Sequence, residues 1–208
     1  MKIFDVGTEL LPTIAYGDAL GLPYETKAAT KVGSIGGLGS IRSNTYLDVP
    51  PHLRGNRGIW SDDTHLSLAT AMSLVRSDGF DIADIAQAHI DAYRHVQGDV
   101  QNPDLVPPIV TLERKNGYGG STVRSIGRLS IGIEPQYSGE PGGPGNGVLM
   151  KLAPLAYWQY VASVNPKQAE EQVVAYTVMT HDSPVAVVSS LVHRAILTDL
   201  LAMNPHAT

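Results

Sequence analysis

Residues 165–184 read NPKQAEEQVVAYTVMTHDSP. Two helix-start signals bracket this stretch. At Asn165-Pro166 a capping side chain is followed by a proline at the first helical position, where the missing N–H costs nothing. Ser183-Pro184 repeats the signal. The sequence therefore predicts one helix from Pro166 to about Met179 and a second from Pro184 towards Met203. MTHDSP, residues 179–184, must be a tight turn between them.

Working outward, the same grammar recurs. Asp81 is an N-cap candidate, followed by Ile82, Ile85, His89, Tyr93 and Val96 on one helical stripe and closed by Gly98. Helical spacing also fits about Gly7–Leu20, Thr64–Val75, Ser121–Leu129 and Gly147–Val161. No run shows the period-2 alternation of an exposed sheet, so the expected fold class is all-α.

At 208 residues the chain can bury one substantial core and needs no second. A hydrophobic content of 43% with 17% charged residues is that of a globular protein. The formal net charge of −5 argues against a nucleic-acid surface, which wants a basic face. With no cysteine, disulfides, thiolate metal sites and cysteine nucleophiles are excluded. The N-terminus lacks a signal-peptide layout, and no stretch approaches ~18 uninterrupted apolar residues. The expectation is a soluble cytoplasmic protein without nucleic-acid or membrane partners. The 21 glycines are above the usual ~7%. They concentrate in KVGSIGGLGS (31–40), KNGYGGST (115–122) and YSGEPGGPGNG (137–147), loops of a length that is usually functional or disordered.

Four motifs bear on chemistry, and each has a bland alternative. In Ser61-Asp62-Asp63-Thr64, Ser61 caps the following helix, and acids in the first turn favour its positive end by roughly 0.3–1 kcal/mol each. Side by side the two acids repel, and with the hydroxyl they form an oxygen donor set suited to Mg²⁺, Mn²⁺ or Ca²⁺. From this stretch alone capping is the nearer explanation. In YGDALGLPYE (16–25), Gly17, Ala19 and Gly21 permit close helix packing and Asp18 reads as a structural hydrogen-bond acceptor. Leu22-Pro23 ends the helix, leaving Glu25 in the loop beyond. In GGPGNGVLMKLAPLAYW (142–158), a glycine-flanked Asn146 leading into a helix offers backbone N–H groups to an anion, or is merely a capping loop. His181, held in the turn between two capped helices, is a ligand contact or an ordinary structural histidine.

Taken in order, YGDALGLPYE, WSDDTHLSLATAMSL, GYGGSTVRSIGRL with SGEPGGPGNGVLMKLAPLAYW, and MTHDSPVAVVSSLVHRAIL resemble the ADP-ribosylglycohydrolase family, from about residue 10 to about 198. The resemblance implies a single all-α domain over 1–208 that cleaves the glycosidic bond between ADP-ribose and an acceptor, often arginine. It implies a dinuclear Mg²⁺ or Mn²⁺ site whose first motif maps onto Ser61, Asp62 and Asp63, with serine where threonine is usual. Glu25 falls at an acidic position that gates the site or acts on substrate, so Glu25, Asp62 and Asp63 are the implied catalytic acids. Gly119, Gly145, Asn146, Gly147 and His181 fall on the implied ADP-ribose side. Lys151 stands where an arginine is usual, keeping charge but losing bidentate geometry.

One departure is larger. The family's second metal motif, a D-x-D-T, is absent, so the domain is expected to be incomplete at its C-terminus, with a second chain able to supply the missing ligands. The implied partners are an ADP-ribosylated protein or an ADP-ribose-containing small molecule. Half a metal site also leaves room for a non-catalytic ADP-ribose or nucleotide binder, an inactive fragment or a structural relative.

Overall fold

The computed structural model describes residues 6–25, 60–97, 118–143 and 145–203. The expected closing residue Gly98 and the loop 31–40 lie outside them. Helices α1 (Val6–Glu25), α2 (Asp62–Arg76), α3 (Ile82–Val96) and α4 (Gly120–Ser130) come first. A single turn, α5 (Pro135–Ser138), leads into β1 (Glu140–Pro141), and a 3₁₀ turn over Leu149–Lys151 leads into α6 (Ala153–Val161). The chain then runs through α7 (Pro166–Val178), β2 (His181–Asp182) and α8 (Pro184–Ala202). The fold class is all-α.

The caps read from the sequence are made. The Asp81 carboxylate accepts from the N–H groups of Ala83 and Asp84. Asn165 Oδ1 accepts from Gln168 N–H at 2.9 Å, and Ser183 Oγ accepts from Ala186 N–H at 3.2 Å. Apolar residues of five helices build the main core: Leu74 of α2, Ile85 and Ile90 of α3, Ile126 and Leu129 of α4, Leu155 of α6, and Val173 and Tyr176 of α7. Leu152 and Met179, at the ends of the 3₁₀ turn and α7, complete it.

Three local expectations are corrected. Helix α1 does not stop at Leu22-Pro23 but runs to Glu25; Pro23 deletes one backbone bond near the end of the helix, where little ladder remains to lose. Within α1, Ala19 is buried, whereas among the described residues nothing lies within 4 Å of a Cβ built on Gly17 or Gly21, so no described helix packs closely against those glycines. The helix expected from Gly147 to Val161 is split into the 3₁₀ turn and α6, with a proline in the first turn of α6. Pro154 can start a helix but cannot continue one through its own N–H.

The MTHDSP turn holds more order than a simple reversal. Its β2 pairs in parallel with β1, placing Glu140 opposite His181 and Pro141 opposite Asp182. Glu140 N–H donates to the Thr180 carbonyl and Gly142 N–H to the Asp182 carbonyl. The Arg128 guanidinium of α4 binds this junction through the Ser138 and Gly139 carbonyls and the Glu140 carboxylate.

Helix α8 leaves one apolar side uncovered. Val185, Val188, Val192, Ile196, Leu200 and Met203 are all exposed. By length and composition, with a mean hydropathy of 1.6, it is long and apolar enough to cross a membrane, which the sequence reading did not anticipate. Its inner side packs on α6 and α7, where Arg194 donates to the Gln159 side chain.

A Cβ on Gly139 would overlap the Val178 carbonyl oxygen and press on Asp182. Gly139→Ala is therefore expected to destabilise the fold by about 1–3 kcal/mol, the usual penalty of overpacking. Gly127→Ala, at an exposed α4 position with open space around it, is expected to stabilise by roughly 0.5–1 kcal/mol. Urea denaturation of the two variants checks the pair; equal effects would refute the contrast.

Candidate functional site

The site begins with Asp18. One carboxylate on α1 accepts four hydrogen bonds from the start of α2: Ser61 N–H at 2.7 Å, Ser61 Oγ at 2.8 Å, Thr64 N–H at 3.1 Å and Thr64 Oγ1 at 2.7 Å. Ser61 occupies the N-cap position with extended backbone but makes no side-chain cap of its own. The cap comes from another helix. An anion at a helix N-terminus is favoured both by its orphan N–H donors and by the dipole. The structural reading of Asp18 holds, and its effect is to fix the first turn of α2.

That turn presents Asp62 and Asp63 to an open cleft of about 330 Å³. Its other lining residues include Gly119, Gly120, Ser121 and Thr122 at the start of α4, Gly145, Asn146 and Gly147 of the glycine loop, and His181. Seven of the sequence-derived candidates thus meet in one place although they span residues 62–181. Ser61, buried, adjoins the cleft through Asp62. The side chain of Glu25 lies outside the described residues.

His181 is wedged against the glycine loop. A Cβ on Gly145 would come within 3.2 Å of His181 Nε2, and one on Gly147 within 3.4 Å. The loop backbone can lie this close because it has no side chains there. His181 Nδ1 pairs with Thr180 Oγ1 at 3.0 Å. Burial, then the charge of Lys151, lowers the His181 pKa to about 4, so the imidazole is neutral at pH 7. Asp62 is buried and its charge helps push the Tyr118 hydroxyl, already raised by burial, further up. Stacked on Tyr118, His65 has a pKa lowered to about 4 by burial and by His95, and among the described residues neither of its ring nitrogens is hydrogen-bonded.

Chemically the cleft has two kinds of wall. Ser61, Asp62 and Asp63 are hard oxygen donors that fit a Mg²⁺ or Mn²⁺ ion, but among the described residues no group of three or more His, Cys, Asp and Glu forms a full cage. Opposite them, α4 starts at Gly119 with no side-chain cap, leaving N–H groups of its first turn for an anion.

Sequence reasoning missed two things here. Ser121 and Thr122 line the cleft; the signal was available, since Gly119-Gly120-Ser121-Thr122 opens a helix without a capping acid. The other is the enclosure of Lys151, a residue named in the sequence only as standing where an arginine is usual. The lysine is fully buried, with Nζ 3.1 Å from His89 Nε2 and 4.4 Å above the centre of the Tyr176 ring. Burial lowers its pKa to about 7 against an upward pull from Asp62. No spacing rule announces a buried lysine.

Comparisons with known proteins agree on one group. A family model described as ADP-ribosylglycohydrolase matches residues 11–207. The chain is similar to the ADP-ribosylarginine hydrolase Tri1 of Pseudomonas putida (strain GB-1), at 32% identity over 103 residues covering 49% of this chain and 25% of that protein. Among solved structures it is similar to an ADP-ribosylglycohydrolase-related protein complex, with a TM-score of 0.57 and 26% identity over 97% of this chain and 61% of that one. The chain thus spans less than two thirds of the length of either relative.

Two outcomes follow from the site's construction. Asp18→Ala leaves the α2 donors without their acceptor and is expected to cost about 2–3 kcal/mol in denaturant unfolding; a loss under about 0.5 kcal/mol would mean that the tie is not structural. For Lys151, the folded pKa of about 7 lies below the unfolded value of ~10.4. Between those values the unfolded chain binds a proton that the folded one does not, so stability rises with pH from about 7 towards 10. Lys151→Met should flatten that rise in melts at pH 6 to 10; an unchanged slope would refute it.

Proposed function

This chain belongs to the ADP-ribosylglycohydrolase family, and from that premise we propose that its cleft binds ADP-ribose and serves hydrolysis of the glycosidic bond joining it to an acceptor. The observation that carries the reading is the convergence of Asp62, Asp63, the 145–147 loop, the start of α4 and His181 on one cleft. The relative named for ADP-ribosylarginine makes arginine the acceptor to test first, on a protein or as a small molecule.

In this reading the diphosphate lies along the α4 N-terminus and the glycine loop, where backbone N–H groups meet negative charge without a cationic side chain. Gly145 and Gly147 let the ligand and the His181 ring approach the same backbone. His181, neutral at pH 7, offers a hydrogen bond rather than a charge. Ser61, Asp62 and Asp63 would hold Mg²⁺ or Mn²⁺, which when bound supplies positive charge to orient the ribose hydroxyls. The oxocarbenium-like charge that develops at the anomeric carbon is stabilised by nearby carboxylate, a role for Asp63 or Glu25. Glu25 serves as proton donor and acceptor or as gate. The remaining cation ligands are assigned to polypeptide equivalent to the unmatched part of the relatives, in a second chain or in continuation of this one.

A second reading has its own support. Among the described residues no group of three or more His, Cys, Asp and Glu forms a metal cage, which supports a cleft that binds ADP-ribose without turning it over.

The test is release of free ADP-ribose from ADP-ribosyl-arginine with Mn²⁺ or Mg²⁺, and again with EDTA, alongside calorimetric titration of ADP-ribose. The expected result is EDTA-sensitive release, lowered about 100-fold or more by Asp62→Asn. Release that ignores both EDTA and Asp62→Asn would end the metal assignment. Binding without release under any metal would leave the binding module standing, and no binding would remove both readings.

A further inference from the structure

Helix α8 carries a face that neither the core nor the cleft uses. Of its residues only Ala186 and Ser190 are buried. Its outer side carries Val185, Val188, Val192, Ile196, Leu200 and Met203, each more than half exposed, from 51% at Ile196 to 78% at Met203. The spacing is regular. Val188, Val192, Ile196 and Leu200 follow one another at four residues, and Val185 and Met203 lie three beyond either end. A row of this kind is a ridge of the i±4 type, which seats between ridges of its own type when two helices pack. Ala195 is also exposed; it adjoins Ile196 near the middle of the row, and its small side chain lets a second helix come close. Asp199 is the only charged residue among the exposed positions of α8.

Area, charge and anchoring decide what such a face fits. At roughly 100 Å² apiece the six side chains offer on the order of 600 Å² per copy, so that two copies bury about 1,200 Å² in all, the lower end of specific protein interfaces. A lipid surface is the poorer match. Helices that lie in a membrane interface carry Lys and Arg on their polar side, whereas Arg194 of α8 is turned inward to donate to Gln159 and the chain as a whole has a net charge of −5. Nor is α8 free to leave the fold and cross a bilayer: at its start Ser183 Oγ donates to the Gly143 carbonyl at 3.0 Å, and it packs along α6 and α7. A second copy of the chain meets the demand. An isologous contact sets a surface against itself, and here an apolar ridge meets an identical apolar ridge with no charge brought against its like at the centre.

We infer that two copies of the chain pair through the outer side of α8, their ridges interlocked about a twofold axis near Ala195. Ridges of the i±4 type interlock with the helices crossing at about −50° and their axes 8–10 Å apart. The helices therefore touch at the middle of the row and part towards both ends, where Val185 and Met203 pack on the flanks of the other copy. Asp199, one turn from Ala195, stands where the helices part and keeps its water. The cleft takes no part. None of its lining residues belongs to α8, so a pair joined in this way leaves both clefts open. The inference therefore stands or falls separately from the proposed chemistry.

The experiment is sedimentation velocity of the 208-residue chain over a concentration series from about 1 µM to about 300 µM. The expected result is a mass that rises from 22.2 kDa towards twice that value, with a dissociation constant on the order of tens of µM, as suits an interface at the small end of the range. Val192→Asp combined with Ile196→Asp should abolish the rise, with circular dichroism confirming that the variant is folded. A second measurement needs no disruptive change. The chain has no cysteine, so a single one introduced on α8 reports its own counterpart. Ala195→Cys should give a disulfide-linked dimer under mild oxidation, whereas Val185→Cys, far from the axis, should not. A mass that stays at that of one chain throughout would overturn the inference. With co-sedimentation on phosphatidylcholine–phosphatidylserine vesicles it would give the face to lipid, and without it to a different polypeptide. A dimer that survives the double aspartate variant, or equal cross-linking through residues 185 and 195, would overturn the assignment to this face of α8.

Discussion

The cleft depends on one carboxylate that never faces it. Asp18 of α1 takes two N–H and two O–H donors from the start of α2, 43 and 46 residues further along the chain. A helix end leaves its first N–H groups without partners, and here a residue from another helix satisfies them. The direction in which Asp62 and Asp63 leave the backbone is therefore set by α1 as much as by α2. The second tie is the pairing of β1 with β2, two residues each, which carries His181 to the glycine loop. Between them these contacts bring together residues from four separate stretches of sequence.

Electrostatically the cleft is a juxtaposition of opposites at short range. Carboxylates stand on one side, an uncapped helix start on the other, and a buried lysine lies behind. Each would be costly alone: paired acids repel, orphan N–H groups lack partners, and an enclosed ammonium has lost its water. Placed together, each partly compensates another. Burial keeps the imidazoles of His65, His89 and His181 uncharged at neutral pH. His181 therefore lines the cleft as a polar ring rather than as a cation.

Much of this was legible in the residues, because capping and proline placement are local. Asn165-Pro166, Ser183-Pro184 and Asp81 act within four residues of themselves, and the helices they open run to within a residue or two of the expected ends. The errors have local causes as well. Pro23 reads as a stop but sits near a helix end that can tolerate it, and Pro154 interrupts what the spacing presents as one helix. Asp62, Asp63, the 145–147 loop and His181 were picked out by residue type and order, and the fold does gather them. What escaped was long-range: the four bonds to Asp18, the pairing of Glu140 with His181, and the enclosure of Lys151 by His89 and Tyr176 each join residues 25 to 62 positions apart. Nothing in a window of fifteen residues contains both partners.

Helix α8 carries the remaining consequence. Six large apolar side chains along its outer side meet solvent, from Val185 to Met203, and a patch of that kind governs how a protein behaves as a solute. Solubility limits, retention on hydrophobic resins and response to kosmotropic salts will all be dictated by this row rather than by the cleft. Polar replacements at Val188, Val192 and Ile196 would therefore improve handling without touching a residue that lines the cleft. The same row offers the biochemist a built-in handle, since it can be altered, masked or read out while the chemistry is left alone.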